Sequence, residues 1–163
     1  MNIFDQAMEI EKEGEELYEK FSQEAPNQGM RYIFSWLADQ ERKHRDIFKK
    51  LKEGKPASVA ESVPLQNIKE IFEDWRDSAT CIEADTSQAD VYRRALDIEI
   101  KSISIYQKYA ATAASPQKEI FLRIAAEEKG HKKIVENIIE FVTKPEVWAE
   151  NAEFSNLGGD YYL

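Results

Sequence analysis

The chain has 163 residues, with 22 Lys plus Arg against 31 Asp plus Glu and a formal charge of −9. That acidity argues against a nucleic-acid partner, which needs a basic face to offset phosphate charge, and no stretch approaches the ~18–20 apolar residues of a bilayer span. A single cysteine, Cys81, excludes an internal disulfide and any cysteine-ligated zinc or iron–sulfur site within one chain, while six Gly and five Pro argue against an all-β or loop-rich fold. What remains is a soluble, intracellular, mostly helical single domain. The first residues, MNIFDQAMEI, carry no basic region ahead of an apolar run, so no signal peptide and a cytoplasmic location are expected.

The first helical pattern runs from about Ile3 to Glu24 and stops at Pro26. The second runs from about Asn27 to Glu53, with Gly54 suited to a helix C-terminus and Pro56 beyond it. Residues 54–86 form a long connection holding one short amphipathic helix, PLQNIKEIFEDWRD, from Pro64 to Asp77. Ser87 reads as the N-cap of a third long helix ending near Ala114, with Asp90 three residues on. Ser115 and Pro116 then read as an N-cap and first-turn proline of a fourth, which ends near Thr143 before Pro145. Short links make antiparallel neighbours, so the expectation is two helical hairpins joined by one long crossover. That is an all-α four-helix bundle of the ferritin-like kind over residues 1–143. The aromatic-rich tail, 144–163, is expected to pack on the bundle or on a partner subunit.

The two hairpins repeat. AMEIE at Ala7–Glu11 matches ALDIE at Ala95–Glu99, and LYEKF at Leu17–Phe21 matches IYQKY at Ile105–Tyr109, an offset of 88. FSWLADQERKH at Phe34–His44 matches FLRIAAEEKGH at Phe121–His131, an offset of 87. Two similar hairpins facing each other would build a symmetric, two-centred site.

The core stripes carry the chemistry. The second helix presents Phe34, Leu37, Glu41, His44, Phe48 and Leu51, and the fourth presents Phe121, Ile124, Glu128, His131, Val135 and Ile138. The first reads Phe4, Ala7, Glu11, Tyr18, Phe21 and the third Tyr92, Ala95, Glu99, Tyr106, Tyr109. In each, a carboxylate interrupts the apolar face that should meet the core. A lone Glu-x-x-His is more often surface than ligand. Here both of the chain's two histidines have Glu three residues earlier, which 22 Glu in 163 residues would produce by chance about 2% of the time.

An unpaired buried carboxylate costs several kcal/mol, and four would strain a fold stable by only about 5–15 kcal/mol. Two divalent cations would balance four carboxylates. Residues at i and i+3 lie about 5–6 Å apart at Cβ, close enough to share one ion. A set of four oxygen and two nitrogen donors suits iron or manganese, with positions left open for water, oxygen or peroxide.

With these motifs in place, the sequence resembles the rubrerythrin branch of the ferritin-like superfamily, over nearly all of residues 1–143. The resemblance rests on the two F-x-x-[LI]-A-x-x-E-x-x-H runs and the two Glu-x6-Tyr runs, Glu11 to Tyr18 and Glu99 to Tyr106. It implies two iron ions per chain, with manganese or a mixed pair as alternatives. Glu41 and Glu128 would bridge them, Glu11 and Glu99 would be terminal carboxylates, and His44 and His131 the nitrogen ligands. Tyr18 and Tyr106 would be hydrogen-bond donors that orient carboxylates, or simply aromatic core.

The resemblance further implies reduction of hydrogen peroxide or dioxygen with electrons from an external donor protein, and a homodimer is the expected assembly. The rubredoxin-like site that rubrerythrins usually carry needs four cysteines, and Cys81 stands alone here; it reads as a small, partly buried apolar residue. The family often has a further carboxylate, tied to peroxide reduction, three residues after the third-helix Glu. Ser102 stands there, with Gly14 at the equivalent position of the first helix. A ferroxidase that handles iron is therefore a competing expectation, and a non-catalytic bundle completed by metal is a third.

Overall fold

The computed structural model describes residues 2–60, 65–77 and 87–150. Among these, six helices occur in chain order: α1 (Ile3–Glu24), α2 (Gln28–Lys52), α3 (Leu65–Asp77), α4 (Ser87–Thr112), α5 (Gln117–Thr143) and α6 (Pro145–Glu150). No strand is present among the described residues, and no helix among them is long and apolar enough to cross a membrane.

Local chemistry sets the helix ends. Asn2 caps α1 by accepting from the Asp5 amide at 2.9 Å, and Asn27 caps α2 by accepting from the Met30 amide at 2.8 Å. Such caps contribute about 1 kcal/mol each. After α2, Gly54 turns the chain at φ +69, a backbone region that costs other residues strain. The start of α5 differs from expectation. Pro116, not Ser115, occupies the cap position, and no side chain caps there. Ser115 instead donates its hydroxyl to Glu119 one turn along, at 2.5 Å. α4 ends two residues short of Ala114, at Thr112.

Helix α1 packs along α2, and α4 along α5, as two antiparallel hairpins. The hairpins meet chiefly through α1 and α4. Those two helices run antiparallel, because Tyr18 of α1 reaches Glu99 of α4 while Tyr106 of α4 reaches Glu11 of α1.

Two apolar clusters fill the bundle. One gathers Phe21, Phe34, Tyr92 and Ile138 with Ile68 and Phe72 of the crossover helix. The Phe21 ring lies 5.2 Å from that of Phe34 and 5.1 Å from that of Tyr92. α3 comes close because α2 offers Gly29 beneath it: a Cβ there would lie 2.9 Å from Ile71 and 3.0 Å from Trp75. Trp148 of α6 is buried on the same cluster, its ring 5.0 Å from Phe141 and 6.1 Å from Phe72. The second cluster gathers Ala7, Phe48, Leu51, Tyr106, Phe121 and Ile124. Between the two lies a polar layer. Cys81 and the chain beyond Glu150 lie outside the described residues.

Candidate di-metal centre

The polar layer is made of the residues that interrupt the stripes. Glu11, Glu41, Glu99, Glu128, His44 and His131 are each at most 2% exposed. They form two groups whose ligand atoms lie within 4.8 Å of one another: Glu11, Glu41, His44 and Glu128, and Glu41, Glu99, Glu128 and His131. Glu41 and Glu128 belong to both. Each hairpin supplies one further carboxylate and one histidine.

The imidazoles stack across the centre, with ring centroids 5.6 Å apart and planes 17° from parallel. His44 Nδ1 lies 3.0 Å from Glu128 Oε1 and 3.4 Å from Glu11 Oε2. His131 Nδ1 lies 3.0 Å from both Glu41 Oε1 and Glu128 Oε2, and 3.9 Å from Glu99 Oε2. These two rings are the basic groups set against the four carboxylates, and they carry charge only when protonated. A buried carboxylate with a structural role looks different here: Glu15 is gripped by Arg42, at 2.8 Å, and by Arg45.

Crowding four carboxylates in a buried layer shifts their proton affinities. Burial pushes Glu41 and Glu99 well above the usual carboxylate range, and repulsion from Glu128 adds to it. Glu128 is raised by burial and by Glu11. Burial also lifts Glu11, but the hydrogen bond and charge of His44 outweigh it and hold Glu11 below 4.5. Burial lowers His44, yet Glu128 and its hydrogen-bonded carboxylates hold it well above its usual value. His131 is lowered, with burial the largest cause.

The donor set fits a pair of cations. Glu11 Oε2, Glu41 Oε1 and Glu99 Oε2 are buried with an imidazole Nδ1 nearby, at 3.4, 3.0 and 3.9 Å, and none has a well-aligned hydrogen bond, an arrangement that costs several kcal/mol unless something else satisfies them. Two divalent ions would supply both the missing charge and the missing contacts. Mixed carboxylate and imidazole donors are compatible with iron.

The family model for rubrerythrin matches the chain over residues 2–74 and 90–155. The chain belongs to the rubrerythrin family. No curated protein and no solved structure matches it.

The structure also places the two tyrosines, which the sequence left between two roles. Tyr18 donates to Glu99 Oε1, and Tyr106 donates to Glu11 Oε1. Both phenols are buried, and burial together with the adjacent carboxylates raises their proton affinity well above 10.0, so they stay donors. Ser102 is buried and turns its hydroxyl to the Glu99 carbonyl at 2.9 Å. Gly14 lies where a Cβ would stand 3.0 Å from Glu41 Oε2.

One residue escaped the sequence reading. Glu127 is buried, and its Oε2 accepts from His44 Nε2 at 2.6 Å. Its signal was its place beside Glu128 at the repeat position of Gln40, which is also buried.

Proposed function

We propose that the chain is a di-iron oxidoreductase that reduces hydrogen peroxide, or dioxygen, with electrons from an external donor protein. The observation that carries this reading is the pair of buried ligand groups sharing Glu41 and Glu128. Two adjacent irons, when bound, supply the two electrons that reduction of peroxide to water requires. Under this reading Glu41 and Glu128 would be shared by both ions, Glu11 and His44 would complete one half, and Glu99 and His131 would complete the other. Tyr18 and Tyr106 hold Glu99 and Glu11 in place through their hydroxyls. The aromatic clusters on either side keep bulk water out of the layer. A homodimer acting in the cytoplasm belongs to the same proposal.

A ferroxidase is the second reading. It is favoured by Ser102 and Gly14, which leave no further carboxylate three residues beyond Glu99 or Glu11.

The test is metal content after anaerobic purification, then rapid mixing of the ferrous protein with peroxide and, separately, with oxygen. Two irons per chain and much faster oxidation by peroxide support the first reading. Preference for oxygen, or turnover of added ferrous ion, supports the second. Folded protein that takes up no metal overturns both.

A further inference from the structure

The repeat makes the two halves of the centre similar, but two substitutions within it make them unequal. Gln40 and Glu127 occupy the same repeat position, each just before the carboxylate shared by both ligand groups, and each is 2% exposed. One is a neutral amide and the other a carboxylate. Trp36 and Arg123 likewise occupy one repeat position.

The consequence falls on the histidines. His44 is held from both sides: Nδ1 faces Glu11 and Glu128, while Nε2 donates to Glu127 Oε2 at 2.6 Å. That hydrogen bond keeps a proton on Nε2, so Nδ1, which faces the ligand cluster, is the nitrogen a metal would take in place of its proton. Arg123 approaches Glu127 to 3.9 Å. Its charge partly offsets that of Glu127. The other half has no such carboxylate at the matching position. Gln40 Nε2 is buried without a hydrogen-bond partner. The rings of Trp36 and His131 meet edge to face there instead, with centroids 5.6 Å apart and planes at 84°.

We infer that Glu127 is a positioning residue that makes the His44 half the tighter of two divalent-metal sites, so that the ions load in order, His44 half first. A carboxylate accepting the far N–H of an imidazole fixes the ring and makes its other nitrogen a stronger donor, and losing such a partner typically costs about ten- to a hundredfold in metal affinity. A neutral amide cannot do this to the same degree. The inference rests on the reading that the centre holds two ions.

The experiment is an anaerobic titration of metal-free full-length protein with cobalt(II), followed by calorimetry and by the visible absorption of the bound ion. The wild-type protein is expected to bind two ions in two resolved steps. In Glu127→Gln, which preserves the shape of the side chain, the tighter step weakens about ten- to a hundredfold and the two steps merge. In Gln40→Glu, the weaker step tightens. The double exchange restores two separate steps. Either single variant decides the matter if the other fails to fold. Two ions bound with steps unmoved by these substitutions overturn the inference and leave the proposed centre standing. Fewer than two ions in the wild-type protein overturn both.

Discussion

Tyr18 on α1 donates its hydroxyl to Glu99 on α4, across the interface between the two hairpins. Tyr106 returns the relationship to Glu11. Each hairpin therefore orients the other's outer carboxylate, and the halves of the centre are correct only when the hairpins are docked. Replacing Tyr18 with Phe removes a donor and leaves the ring in place among Phe21 and Phe34. The variant is expected to keep both metals and to change the rate of ferrous-centre oxidation by about ten- to a hundredfold, measured by rapid mixing beside metal analysis. Loss of metal would mean that the hydroxyl is needed for binding itself.

Glu41 and Glu128 are the two residues common to both ligand groups. Removing either would take an oxygen donor from both proposed ions at once. Glu41→Ala and Glu128→Ala are each expected to lose most of the metal, whereas Glu99→Ala takes a donor from one group only. Metal content by elemental analysis checks this, and a full complement of two ions in either shared-residue variant contradicts the assignment.

The six candidate ligands were legible because three patterns coincide at them: the helical stripe, the internal repeat and the scarcity of histidine. Burial then follows from periodicity alone. The tyrosine roles were only half legible, since a stripe position shows that a ring is inside but not where its hydroxyl points; that depends on how α1 crosses α4. Glu127 was hidden for a different reason. It lies one residue from the stripe, about 100° around the helix, and in a chain one-third charged such a glutamate reads as surface. Only the approach of α2, which brings His44 against it, makes it part of the centre. Pro116 was misplaced by one position because a serine before a proline looks like a cap, while here the Ser115 hydroxyl is turned to Glu119.

Gly14 separates helix stability from metal binding. It is buried mid-helix, where alanine would ordinarily stabilise by about 1 kcal/mol. A Cβ at this position would meet Glu41 Oε2 at 3.0 Å and its Cδ and Cγ at 3.4 Å. Glu41 must give way by a few tenths of an ångström, and Glu41 is shared between the two groups. Gly14→Ala is expected to leave the metal-free protein as stable as before or more so, and to weaken metal binding. Thermal melts with and without metal check both halves of this expectation; unchanged affinity would show that Glu41 has room to move.

Protons and metal ions compete for the same layer, which sets the pH dependence. Glu41 and Glu99 are raised well above 4.5 by burial and by repulsion from Glu128, and the carboxylates around His44 raise it well above 6.5 against the effect of burial. Each of these protons leaves the unfolded chain at a lower pH than it leaves the folded, metal-free protein, from 4.5 upward for the carboxylates and from 6.5 upward for His44. The folded state then binds more protons, so stability falls as pH rises. Below pH 6.5, His131 acts in the opposite sense, because its folded form prefers to be neutral and stability gained there rises with pH. The metal-free protein is therefore expected to lose stability from pH 6.5 upward, by about 1.4 kcal/mol per pH unit for each proton retained. Divalent metal displaces those protons, so its affinity should rise over the same window and the loaded protein should lose much less. Melting temperatures at pH 6.5 and 8.5, with and without metal, measure the difference. Equal slopes for the two forms would mean that the buried layer is not where the protons and the metal exchange.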